Sequence, residues 1–154
     1  MATVDEVKTA FDALISNLSK QNRHFLYMRI GRKLAQNQRK RISQQQNPDG
    51  TAFEPRKQKP QKLRKKKGRI KRQAMFAKLK TARFLKVKTS AEGVTVGFNG
   101  SAAHIAAVHQ YGLMSAPSKK ASYKVKYAQR ELLGFTDEDV EMVEQEIVKM
   151  LAVG

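Results

Sequence analysis

Three histidines, His24, His104 and His109, and one acidic run from Asp137 to Glu146 are the residues whose types could ligate a metal or move protons. His104 and His109 stand five apart, a spacing that puts two imidazoles on different faces of a helix and does not suit one ion. Each histidine is therefore expected to pack or to hydrogen-bond. The acidic run could hold a divalent cation, but three acids opening a helix are what the macrodipole favours, so a solvated helix start is the plainer reading. Gly93, Gly97 and Gly100 do not match a dinucleotide fingerprint, and no glycine-rich phosphate loop of the Walker type is present. No serine sits in a nucleophile elbow. The expectation is a chain that is not an enzyme, with no catalytic, cofactor or metal site and no small-molecule substrate.

The remaining chemistry is charge. Between Pro55 and Ala91 lie sixteen Lys or Arg residues and no Asp or Glu, in a chain with 31 basic and 13 acidic residues and a formal charge of +18. Removing those sixteen leaves 15 against 13, or +2, so the excess is local and points to one surface that meets something acidic. A nucleic acid, an anionic membrane or an acidic protein ring would satisfy it. The densest stretch contains Lys57, Lys59, Lys62, Arg64, Lys65, Lys66, Lys67, Arg69, Lys71 and Arg72. Tracking a phosphate backbone, it would bind by counterion release, strongly, salt-sensitively and without regard to sequence. No aromatic residue lies between Glu54 and Ala74 to stack on bases, which argues against specific base readout. Docking on an acidic protein surface is the second reading, and a solvated loop with no dedicated partner is the third.

The elements that must position this arm follow from periodicity. At 154 residues the chain fits one domain, 1–154, with the basic loop at about 54–72. It has no cysteine, hence no disulfide or thiolate ligand, and no apolar run approaching the roughly 20 residues of a membrane span. Met1 to Asp5 lacks the features of a signal peptide, so a soluble, intracellular protein is expected. Thr3 and Glu6 have capping-box spacing, followed by Val4, Val7, Phe11, Leu14, Ile15 and Leu18 at helical period. A second helix starting near Asn22 or Arg23 carries Phe25, Leu26, Ile30, Leu34 and Ile42 on one side, with Arg29, Arg32, Lys33, Arg39, Lys40 and Arg41 elsewhere. It stops at Pro48-Asp49-Gly50, where Pro presets φ and Gly accepts a positive one. Met75, Phe76 and Leu79 predict a short turn docking back on the core.

Alternation of Val94, Val96 and Phe98 after Phe84, Leu85 and Val87 predicts a hairpin connected through Ser90 to Gly93. Ser101 to Gln110 reads as a helix ended by Gly112. His109, Gln110 and Tyr111 then form that helix's C-terminus with a buried Tyr, in preference to a direct contact role. Tyr123, Val125 and Tyr127 suggest a third strand. Thr136 caps a last helix with a buried stripe of Val140, Val143, Ile147 and Leu151. The fold class is α+β: a small antiparallel sheet of hairpin plus third strand, packed with N- and C-terminal helices, with a long basic loop.

Several collinear segments resemble the phage virion morphogenesis family, the tail completion proteins of contractile-tailed phages. They are Arg41-Ile42 through Gln46; Pro48-Asp49-Gly50-Thr51 with Phe53 and Pro55-Arg56-Lys57; Met75 to Leu79; Phe84-Leu85-Lys86; Ile105 to Gly112, ending in Val108-His109-Gln110-Tyr111-Gly112; and Leu132 to Phe135. Glu131 departs from the family, whose members often carry Pro there. The resemblance implies a structural virion protein of the tail or neck, assembled in the host cytoplasm. It would complete or terminate the head-proximal end of the tail and prepare it for joining to the head. The implied partners are further copies of itself in a ring, expected to be a hexamer, tail tube and sheath proteins, head-tail connector proteins and DNA in the tail channel, with no membrane. A free-standing, sequence-nonspecific nucleic-acid-binding protein is the alternative.

Overall fold

The computed structural model describes residues 3–56 and 74–153, so Lys57 to Arg72, the ten basic residues of the expected arm, lie outside the described residues. The elements are α1 (Val4–Ser16), α2 (Lys20–Ser43), β1 (Leu85–Ser90), β2 (Gly93–Phe98), α3 (Ser101–Tyr111), β3 (Met114–Ser115), β4 (Val125–Lys126) and α4 (Asp137–Val153). The mixed α+β class expected from the sequence is the one observed. The residues cluster into two compact units: one of Met1–Ala35, Val87–Val96 and Phe135–Gly154, the other of Gln36–Lys86 and Gly97–Gly134.

In the first unit, all three helix starts are built by side chains. Thr3 Oγ1 accepts from the Glu6 amide at 3.2 Å while the Thr3 amide donates to Glu6 Oε2 at 2.8 Å, the capping box expected for α1. Ser19 Oγ accepts from the Asn22 amide at 3.1 Å, so α2 begins at Lys20, earlier than the Asn22 or Arg23 expected from apolar spacing alone. Thr136 and Asp139 repeat the reciprocal arrangement at α4, with bonds of 3.0 and 3.1 Å. Asp139 is thereby buried, as is Glu146, so the acidic run is not simply a solvated helix start.

The core of this unit is Leu26, Ile30, Leu34 and Ile147, with Val94 and Val96 of the hairpin packed against it. Residues of three expected apolar faces lie outside it, among them Leu14 of α1, which is exposed. Phe25 is exposed because Leu26, Ile30 and Leu34 repeat at i, i+4 and i+8, and Phe25 is about 100° around the helix from that line. Val140 is exposed because the buried line of α4 runs through Asp139, Val143, Glu146 and Met150, and Val140 falls at its margin. Where β1 and β2 approach α2, a Cβ on Gly31 would lie 2.4 Å from Val87 Cγ1 and 2.7 Å from Val94 Cγ2. Only a hydrogen fits there.

The second unit has its own core of Ile42, Phe53, Ala106 and Leu132, with Met75, Phe76, Leu79 and Phe98 partly buried against it. The expected docking of Met75, Phe76 and Leu79 is thus observed, as turns over residues 75–80. The predicted strand around Val125 is also present, but it does not join the hairpin. It pairs antiparallel with β3 in a separate two-stranded sheet, Met114 opposite Lys126 and Ser115 opposite Val125. Gly112 ends α3 at φ +62°, ψ +53°, the left-handed cap the sequence calls for. Tyr111 was expected to be buried and is 68% exposed; the α3 face carrying Ala102, Ala106 and Val108 fills the interior instead.

Candidate functional site

The second unit holds the two described ends of the basic arm, Arg56 on one side and Ala74 on the other, and local hydrogen bonds fix both. Past the end of α2, Gln45 takes φ +56° and turns its amide onto Met75. Its Oε1 accepts from the Met75 amide and its Nε2 donates to the Met75 carbonyl, each at 2.9 Å. The Pro48-Asp49-Gly50 turn forms as expected: the Gly50 amide bonds Asn47 O at 2.9 Å, Gly50 has φ +89°, and Asp49 Oδ1 accepts from the Thr51 amide at 2.9 Å. The Thr51 hydroxyl, which also donates to Asp49 Oδ1, and then the Thr51 amide hold the Asp49 carboxyl below the usual carboxylate range. The turn brings residue 52 back beside Gln46 in an isolated antiparallel bridge and drops Phe53 into the core.

Two buried arginines then tie the chain down. Arg130 Nε donates to Glu54 O at 2.7 Å and its Nη2 to Pro55 O at 3.1 Å, while its Nη1 lies 3.4 Å from His109 Nδ1. The departure point of the arm is therefore pinned by a guanidinium fork aimed at backbone carbonyls, a geometry a lysine does not reproduce. Arg41 does the same one layer away, donating to Gln46 O and Glu131 O from Nη1 and to Leu132 O from Nη2, at 2.7 to 2.9 Å. Sequence reasoning set Arg41 among the polar positions of α2. Its i, i+3 relation to Gln38, which accepts from Arg41 Nη2, was the available signal.

His109 completes the wall. Its ring meets Phe76 edge-on at 4.8 Å and Tyr127 at 5.2 Å, and Phe76 meets Phe53 at 5.7 Å. Burial, reinforced by the Arg130 charge, pushes the imidazole down to about 4, so it is neutral at physiological pH. It packs, as the sequence predicted for it. Gln110 clamps Leu133 with two 2.9 Å bonds, one to each backbone polar group, and a Cβ on Gly112 would lie 3.1 Å from the Gln129 amide nitrogen. The His109-Gln110-Gly112 cluster thus holds residues 129–133 in place, while Tyr111 points to solvent.

Between these parts opens a groove of about 710 Å³, lined by Glu54, Pro55 and Arg56, by Met75, Phe76 and His109, and by Val125 to Arg130. Its lining includes the rings of Phe76, His109 and Tyr127, two exposed cations, Arg56 and Lys126, the buried Arg130, and one acid, Glu54. Burial and the neighbouring Arg56 lower the Arg130 guanidinium, with Glu54 working the other way. Among the described residues no group of three His, Asp or Glu side chains is placed to hold a metal ion, and no helix is long and apolar enough to cross a membrane. His24 and His104 are exposed and apart from the groove's lining.

Comparison with known proteins places this arrangement. The model of the phage virion morphogenesis family matches residues 2–152. The chain belongs to that family. The tail completion protein S of Escherichia phage P2 is 45% identical over 139 residues, 90% of this chain and 90% of that one. No solved structure matches. The Glu131 amide donates to Asn47 Oδ1 at 2.9 Å, a bond that proline could not make. The arm-anchoring turn and the Arg130 segment are joined here by that hydrogen bond.

Proposed function

We propose that the chain is a structural tail completion protein of the virion, acting at the head-proximal end of a contractile tail, which it finishes and prepares for joining to the head. The observation that carries this reading is the match to a tail completion protein along nine-tenths of both chains. The physical features agree with an assembly role. Among the described residues, Arg130 and Gln45 brace the two ends of one charged segment. The arm, Lys57 to Arg72, engages tail tube, sheath, connector or the DNA in the channel. A ring of about six copies closed by cyclic symmetry would gather the tract's charges into a band of roughly a hundred.

Electron microscopy of tails assembled without this protein tests the role. Abnormally long or uncapped tubes are expected. Normal, capped tails that fail only to join heads would move the function to the neck joint. The local concentration of charge also favours, as a second reading, a sequence-nonspecific nucleic-acid-binding protein. A gel shift at rising salt separates the two, because duplex binding with a steep salt slope at physiological ionic strength would support the second reading over the first.

A further inference from the structure

Two surfaces of the described residues are chemically complementary. The first is the groove, lined by Met75, Phe76, Val125 and Tyr127 together with the exposed cations Arg56 and Lys126. The second is the start of α4. Thr136 is its N-cap, so Phe135 and Val140 take the N′ and N4 positions at which apolar residues often staple together, yet they are 68% and 47% exposed. Around them Asp137, Glu138, Glu141 and Glu144 are all exposed. α4 carries six of the chain's 13 acids, four of them exposed, so this corner is acidic in a protein whose net charge is +18. An exposed aromatic ringed by carboxylates is what an aromatic groove ringed by guanidinium and ammonium groups would take up.

We propose that the groove of one copy receives the Phe135–Val140 corner of the next, with Phe135 packing over the rings of Phe76, His109 and Tyr127 and with Asp137 and Glu138 facing Arg56 and Lys126. The two surfaces differ, so the contact is heterologous and repeats head to tail, which closes a ring when the rotation per subunit permits. This inference rests on the ring reading above and supplies its joint.

Sedimentation velocity of the full chain across a concentration series tests it. Phe135→Ser, and separately D137K/E138K, should weaken self-association at least tenfold. The quadruple variant D137K/E138K/R56E/K126E should recover most of that loss, because both sides of the contact are reversed together. Charge reversal at exposed Lys88 on β1 should leave association unchanged, and circular dichroism of each variant checks that the fold persists. Normal assembly of F135S and of D137K/E138K would overturn the joint while leaving the ring standing. A wild-type chain that stays monomeric alone and on tails would overturn the ring, and the joint with it.

Discussion

Glu146 is 2% exposed and receives Arg29 Nε at 2.9 Å and the Lys33 ammonium, both from α2. These donors, Arg29 first, bring its carboxyl down to about 2, and the carboxylate in turn raises Arg29. A folded-state pKa depressed below the unfolded one means the stabilisation is complete above about 4.5 and is lost as the pH falls toward 2. His109 is depressed as well, to about 4, and being a base it resists protonation in the folded chain while the unfolded chain accepts a proton near 6.5. Its contribution is therefore lost between about 6.5 and 4. Acid unfolding should show two windows, the upper one from His109. Replacing Glu146 with Gln should flatten the lower window and cost about 2 kcal/mol at neutral pH, allowing for solvent around its two partly exposed partners. Urea midpoints measured from pH 7 down to pH 2 check both. Arg41 offers a harsher case, since three backbone carbonyls share its guanidinium. Arg41→Lys keeps the charge but not the fork and should cost about 2 to 4 kcal/mol in chemical denaturation.

At the level of elements, the caps of α1, α3 and α4 were legible because they depend on short-range chemistry. Thr3 with Glu6, Thr136 with Asp139 and Gly112 each form the cap their spacing implies. What the sequence concealed are pairings decided by distant residues. Val125 alternates like a hairpin partner but finds Ser115, and Arg41 looks like one more solvated cation until Glu131 and Leu132 come to it from 90 residues away. The groove was hidden for the same reason, as its walls come from four separated stretches of chain. Gly31 is a similar case. In mid-helix it ordinarily costs up to about 1 kcal/mol relative to alanine. Here the hairpin methyls of Val87 and Val94 occupy the space a Cβ needs, so Gly31→Ala should destabilise by about 1 to 3 kcal/mol despite its better helix propensity. Combining it with Val87→Ala should recover part of the loss beyond additivity, and a double-mutant cycle on thermal or urea unfolding measures that coupling.

For the whole molecule, the distribution of charge separates folding from assembly. Leu26, Ile30, Leu34 and Ile147 form one described core, and Ile42, Phe53, Ala106 and Leu132 the other. Like charges packed at the density of Lys57 to Arg72 repel one another, so the arm contributes no favourable electrostatic term to folding on its own. Changing its ten Lys and Arg residues to Gln lowers the formal charge from +18 to +8, since each substitution removes one unit. The variant should fold with unchanged secondary structure and a stability within about 0.5 kcal/mol of the parent, or slightly above it as repulsion is relieved. It should nevertheless fail to complete tails, because the term that draws the arm to an acidic partner scales with the number of cations it presents. Particle yield and infectivity from a complemented deletion, measured beside unfolding of the purified variant, separate the two effects. A well-folded variant that still matures particles would remove the arm from the assembly mechanism and leave the groove and the α4 corner to carry it.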